Sequence, residues 1–256
     1  KRCIGYMSVK IHCCLFSLLI SLSFYSFAKQ VMVADLFVVA NENPLLQYQE
    51  NGENKGPTIE ILNALLQEAN LTGNVSFMPW SRAFVTAKDN PNTLVLSMIK
   101  TPEREPDFHW LIKVSKLARV FISLASKPEN YVENIEQAKE KLIAVILNSA
   151  GHIELISQGF SEQKNLYLVS DSAQMINLFV NGRVDLLYTD PQNIKNYLNS
   201  SGKTEVALSY KKIVEKNQRT SYIALNKNSD KVVVKKLHQA ARKFEKTTEY
   251  LRLLVQ

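Results

Sequence analysis

Four short stretches place charged or hydroxyl side chains just after predicted strands, the position at which open α/β sheets bind ligands. In Lys100–Glu105, KTPERE, the Arg104 guanidinium is a planar fork suited to a carboxylate. The same letters also describe a surface turn in which Thr101 caps, Pro102 starts a short helix and Arg104 pairs with Glu103 or Glu105. In Asn148–Gly151, NSAG, Ser149 stands at a helix start, either as an ordinary cap or beside free backbone N–H groups that hold an anion. In Met78–Ala83, MPWSRA, Trp80 and Arg82 follow a strand, and a tryptophan there is more often core than ligand platform. In NGRVDLLYTDPQN, residues 181–193, Asp190 ends a strand directly before Pro191. It reads as a helix cap with proline at the first helical position, or as a carboxylate held toward a cleft, and one side chain can do both.

These groups orient a ligand; they do not make a catalytic constellation. The sequence holds no Gly-x-Ser-x-Gly elbow, no Gly-rich phosphate loop and no His-Glu-x-x-His, and His109, His152 and His238 are far apart in sequence. Neither catalytic residues, nor a metal site, nor a cofactor is expected.

The elements that must position them alternate between strand and helix, the pattern of an α/β fold with mostly parallel sheets. Strands are predicted at Gln30–Ala40, Asn74–Trp80, Thr93–Lys100, Val120–Lys127, Ile143–Asn148, Asn165–Ser170, the RVDLLYT stretch and Thr220–Asp230. Helices are predicted from Thr58 as cap, over SRAFVTAK, over Asn134–Leu142, from Ser149, over Ser172–Gly182 and from Asp190. A hairpin is predicted at Asn51-Gly52. One final helix presents Val233, Val234, Leu237, Ala241, Phe244, Leu251 and Leu254 as a stripe.

Residues 1–28 read as an export signal: Lys1, Arg2 and Lys10 precede the apolar run Cys13–Phe24, and Ser26-Phe27-Ala28 fits a cleavage site, with Met7 as a candidate start. All three cysteines lie in that segment, so the exported chain is expected to rely on its core without disulfides. It retains 28 Lys and Arg against 24 Asp and Glu. That balance is mildly basic and diffuse, without the concentrated patch and stacking aromatics of a nucleic-acid site.

Taken in order, NENPLLQY, GPTIEIL, LSMIKTPERE, IAVILNSAGHIE, NGRVDLLYTD and YIALNKNSD with its long helix resemble the periplasmic solute-binding proteins of polar amino-acid importers (extracellular solute-binding protein family 3). The resemblance covers the chain from Lys29 onward. It implies a two-lobed periplasmic-binding-protein fold, each lobe a sheet flanked by helices, with residues 29–117 and 214–256 in lobe one and 118–213 in lobe two. It implies that Arg104 clamps a ligand carboxylate with Thr101 and Ser97, that Ser149 adds helix-start donors, and that Asp190 receives an α-amino group. Ile99 and Ala150 stand at positions that often carry hydroxyls in the family. Trp80 and Arg82 match a Pro-Trp-x-Arg subgroup, in which Arg82 would meet a further acidic group. The expectation is a monomeric periplasmic protein that captures a small polar solute, an amino acid or related carboxylate, for the permease of an ATP-driven importer. The alternatives are a dehydratase-like enzyme on the same fold and a solute-sensing module for a membrane receptor.

Overall fold

The computed structural model describes residues 35–255. The expected signal segment, and the part of the first strand before Asp35, lie outside the described residues. The chain builds two five-stranded sheets. The first holds β1 (Asp35–Ala40), β4 (Thr72–Phe77), β5 (Thr93–Ile99), β6 (Phe108–Ala118) and β12 (Gln218–Asn226), in the order β4-β1-β5-β12-β6. The second holds β7 (Val120–Leu124), β8 (Ile143–Ile146), β9 (Leu166–Val169), β10 (Leu186–Thr189) and β11 (Leu208–Tyr210), in the order β11-β7-β10-β8-β9. β1 is parallel to β4 and β5, and β8 is parallel to β9 and β10. β12 runs antiparallel to β5 and β6, and β7 antiparallel to β10 and β11. Each sheet thus has a doubly wound βαβαβ part with the first strand central, closed by antiparallel returns.

Helices cover the faces because their apolar stripes match those of the strands. α1 (Pro57–Ala69) buries Ile59, Leu62, Leu65, Leu66 and Ala69 against Leu36, Leu94 and Ile223 of the first sheet. α2 (Trp80–Asp89) packs Trp80, Ala83 and Ala87 on the other face, against Val39, Val95 and Phe108. In the second lobe come α3 (Ile135–Lys139), α4 (Ala150–Ser157), α5 (Ser172–Val180) and α6 (Pro191–Ser200), with Met175, Ile176, Phe179, Ile194 and Leu198 buried. The expected last helix is two: α7 (Lys231–Phe244) ends, and Thr247 caps α8 (Thr248–Leu253) by accepting the Tyr250 N–H. The break rotates the stripe, and Leu251 is 65% exposed instead of buried.

Thr58 is not the cap of α1; Gly56 is, at φ 109° and ψ 160°, and Thr58 is buried with its hydroxyl on Ser97. That backbone region is open essentially to glycine alone. A Cβ on Gly56 would also lie 2.5 Å from the Leu46 carbonyl oxygen, which accepts the Thr58 N–H. Gly56→Ala is expected to cost about 2–4 kcal/mol, from backbone strain plus overpacking against main chain. A denaturant midpoint within experimental error of the parent's would contradict it. The adjoining hairpin of β2 (Tyr48–Glu50) and β3 (Glu53–Lys55) turns at Asn51 and Gly52, both at positive φ, as expected of Asn-Gly.

Two segments cross between the sheets, Ala118 to Val120 and Tyr210 to Gln218, and the Arg119 N–H bonds the Asn217 carbonyl between them at 2.8 Å.

Candidate functional site

The carboxyl ends of β1, β5, β8 and β10 converge on one cavity of about 130 Å3 between the two sheets. Arg104, Ser97, Trp80 and Ser149 line it, as do Ile99 and Ala150. Thr101, Asp190 and Arg82 do not.

Arg104 is 2% exposed. Its turn is fixed by the Thr101 carbonyl, which accepts the Arg104 and Glu105 N–H groups. Thr101 is therefore a buried turn residue, not a wall of the cavity. Glu105 pairs with Lys100 at 2.7 Å, which leaves Arg104 without a carboxylate partner among the described residues. The guanidinium instead donates Nη1 to the Ile99 carbonyl (3.1 Å) and Nη2 across the cleft to the Asn148 carbonyl (2.7 Å), while buried Nε has no partner. Its carbon lies 5.4 Å from the Trp80 ring centre and 5.0 Å from that of Phe84. Burial, and secondly the Arg119 charge, lowers its pKa to about 10, so it remains a cation at neutral pH.

Ser97 reaches the cavity through a bulge. β5 sets two residues, Leu96 and Ser97, opposite the single Ile223 of β12, and Ser97 sits at φ 54°. Its hydroxyl donates to Gln47 Oε1 at 2.6 Å, and Gln47 Nε2 donates to the Asn41 carbonyl. Trp80 is buried, but its Nε1 donates across the cleft to the same Asn148 carbonyl that receives Arg104 (3.0 Å). It is core and cleft wall together. Ser149 caps α4 by accepting the His152 N–H, and Ala150 and Gly151 supply the first-turn N–H groups, which have no acceptor within the helix.

Two further expected site residues do not line this cavity. Arg82 is exposed on the outer face of α2, because it is two residues from buried Trp80 and so roughly 200° around the helix. Asp190 caps α6, with Oδ1 accepting from Gln192 (2.7 Å) and Asn193 (3.3 Å). Its other oxygen, Oδ2, accepts the Ala118 N–H at 2.6 Å, at the crossing between the sheets. Asp190 lines a smaller recess of about 90 Å3 that shares Ser97, Ile99, Arg119 and Asn193 with the cavity.

Three lining residues carried no sequence signal. Gln47 is buried and pins Ser97. Asn193 lines the cavity, and its Oδ1 is buried without a partner. Arg119, at the first crossing, brings a second guanidinium to it. Among the described residues no acidic side chain lines the cavity itself, and no group of His, Cys, Asp and Glu could hold a metal ion.

No protein-family model matches the sequence. The L-cystine-binding protein TcyA of Bacillus subtilis (strain 168) is 21% identical over 178 residues, which is 70% of this chain and 63% of that protein, so the match spans less than two thirds of its length. Solved structures align over most of the chain. The arginine-, lysine-, histidine-binding protein ArtJ of Geobacillus stearothermophilus superposes with TM-score 0.71 at 19% identity, over 85% of this chain and 93% of ArtJ. A putative L-cystine ABC transporter protein of Listeria monocytogenes gives 0.72 at 17%, over 86% and 94%. A histidine kinase sensor domain similar to periplasmic binding proteins gives 0.73 at 15%, over 85% and 93%. The chain has the two-lobed α/β fold of periplasmic binding proteins, the one shared by the substrate-binding proteins of amino-acid importers.

Proposed function

We propose that this protein captures a small carboxylate-bearing solute between its lobes and delivers it, in the periplasm, to the permease of an ATP-driven importer. The observation that carries this is Arg104: a buried cation at a cavity wall, without a carboxylate of its own among the described residues. Burying a charge unpaired is costly, and a ligand carboxylate meeting Arg104 Nε and the α4 start would repay that cost on binding. Ser97 and Trp80 shape the adjoining wall, and Asn193 Oδ1 offers an acceptor to an ammonium or hydroxyl of the solute. Lobe one, residues 29–117 and 214–256, would close on lobe two, residues 118–213, about the two crossings, with the protein acting as a monomer. Ligand contacts from both lobes then favour the closed state over the open one. Relatives named for cystine and for basic amino acids support solute capture for import.

The likeness to a kinase sensor domain favours a second reading, in which the same cleft reports a solute to a membrane receptor. A permease and ATPase encoded beside the gene would support import, and a histidine kinase would support sensing.

A thermal-shift screen of the chain from Lys29, refolded to remove carried ligand, against amino acids, small di-acids, polyamines and aromatic precursors tests capture. Ligand at about 100 times Kd adds roughly 2.7 kcal/mol, a rise of about 5–10 °C for a chain of this size. A selective shift with the solute recovered unchanged is expected. Consumption of the solute would instead mark an enzyme, and silence across the screen would remove the capture reading.

A further inference from the structure

We infer that Arg119 is a second anion anchor in this cleft, and that the solute is a small molecule with two acidic groups, of the dicarboxylate class. The inference rests on the capture reading and names its substrate class. Arg119 belongs to no motif; it is the residue that links β6 to β7. Its side chain is 11% exposed and lines the same cavity as Arg104. Its guanidinium lies over the Tyr188 ring, 5.8 Å from the centre, and against the backbone of Gly151, where a Cβ would overlap Nη1. The first turn of α4 thus has a glycine where the arginine head needs room.

The charges around Arg119 do not balance. Its nearest carboxylate, Glu154, stands 3.6 Å from Nε, which forms no hydrogen bond. Glu154 is already committed elsewhere, accepting from Arg219 Nε at 2.8 Å and from the Tyr188 hydroxyl at 3.2 Å. One carboxylate therefore serves two arginines, and Arg104 adds a third cation with none. Asp190 adds a second negative charge near Arg119, but its oxygens are taken up by backbone N–H groups, and three arginines still face two carboxylates. A solute with two acidic groups would supply the missing negative charge at both guanidiniums. A basic amino acid would bring further positive charge to a cavity whose unpartnered acceptor is the neutral amide of Asn193.

Calorimetric titration of the chain from Lys29 with succinate, glutarate, butyrate, L-alanine and L-arginine tests this. The expected order places a di-acid at least about tenfold tighter than butyrate or arginine, the weight of one charge-assisted contact. Arg119→Gln should erase that preference, lowering di-acid affinity about tenfold more than butyrate affinity, and Gly151→Ala, which pushes the guanidinium aside without deleting it, should erode it in the same direction. The Gly151 variant keeps the test alive if Arg119→Gln fails to fold for want of its contact with Glu154. Binding of alanine or arginine with no response to either di-acid would overturn the inference and leave capture standing. A di-acid preference that survives both variants would overturn Arg119 as the anchor. No heat from any of the five, together with silence in the wider screen, would remove the capture reading itself.

Discussion

Arg104→Met is expected to abolish solute capture while leaving the unliganded protein about as stable as the parent. The guanidinium is buried, remains protonated with its pKa lowered only to about 10, and is held by two carbonyls and two aromatic faces in place of a carboxylate. Methionine keeps an unbranched side chain against Trp80 and Phe84 and removes the cost of burying a charge. Two hydrogen bonds to carbonyls are lost. Because replacing buried ionic groups with apolar side chains of similar volume is often neutral or stabilising, the two changes roughly offset. Binding has no such compensation. Losing the charged partner of a desolvated carboxylate costs about 2–5 kcal/mol, or roughly 30- to 4,000-fold in Kd. The check is a pair of measurements on one variant, the melting temperature without solute and Kd by calorimetry. A large loss of stability with unchanged Kd would make Arg104 a strut between the lobes instead, through its bond to the Asn148 carbonyl.

What was legible in the sequence follows from how local each signal is. Caps and turns were legible because one residue type meets one backbone need: Ser149 and Asp190 at helix starts, Asn51-Gly52 at a tight hairpin. Arg104, Trp80, Ser97 and Ser149 could be brought to one site because strand ends in this fold face one crevice. Arg82 shows the limit of that rule. It follows the same strand as Trp80, but helical phase, not sequence distance, decides which of the two looks inward. The longest strand, β6, was not anticipated. FHWLIKVSKLA interrupts its apolar residues with Lys113 and Lys116, which a strand at the edge of its sheet tolerates and which blur any simple alternation. Arg119 follows that strand, so its arrival in the cleft depended on an element with no clear period. Gln47 and Asn193 were missed for another reason. Each became informative only once its partner, or the absence of one, was placed.

Asp190→Ala is expected to damage the fold more than the affinity. The substitution removes a helix cap, worth about 1 kcal/mol, and leaves the buried Ala118 N–H without its acceptor, worth about 1–3 kcal/mol more. The combined loss of about 2–4 kcal/mol corresponds to a fall in melting temperature of roughly 5–15 °C. The loss should depend on pH with a definite sign. Burial raises the Asp190 carboxyl above its ordinary 3.8, against the pull of three backbone N–H groups and the Arg119 charge. A carboxyl whose folded pKa is raised binds its proton more tightly in the folded state. The stability from that titration is fully present below about 3.8 and is lost as pH rises through the raised value. The gap between parent and Asp190→Ala should therefore be wider on the acid side of this window and narrow above it. Urea unfolding of both proteins across the window, with Kd measured on the folded fraction of each, separates two roles. A stability gap with this pH dependence and a similar Kd means that Asp190 joins α6 to the crossing at Ala118. A collapse of affinity with unchanged stability would mean that its carboxylate turns to the cleft when solute binds, and Asp190 would then be the acceptor of an α-amino group after all.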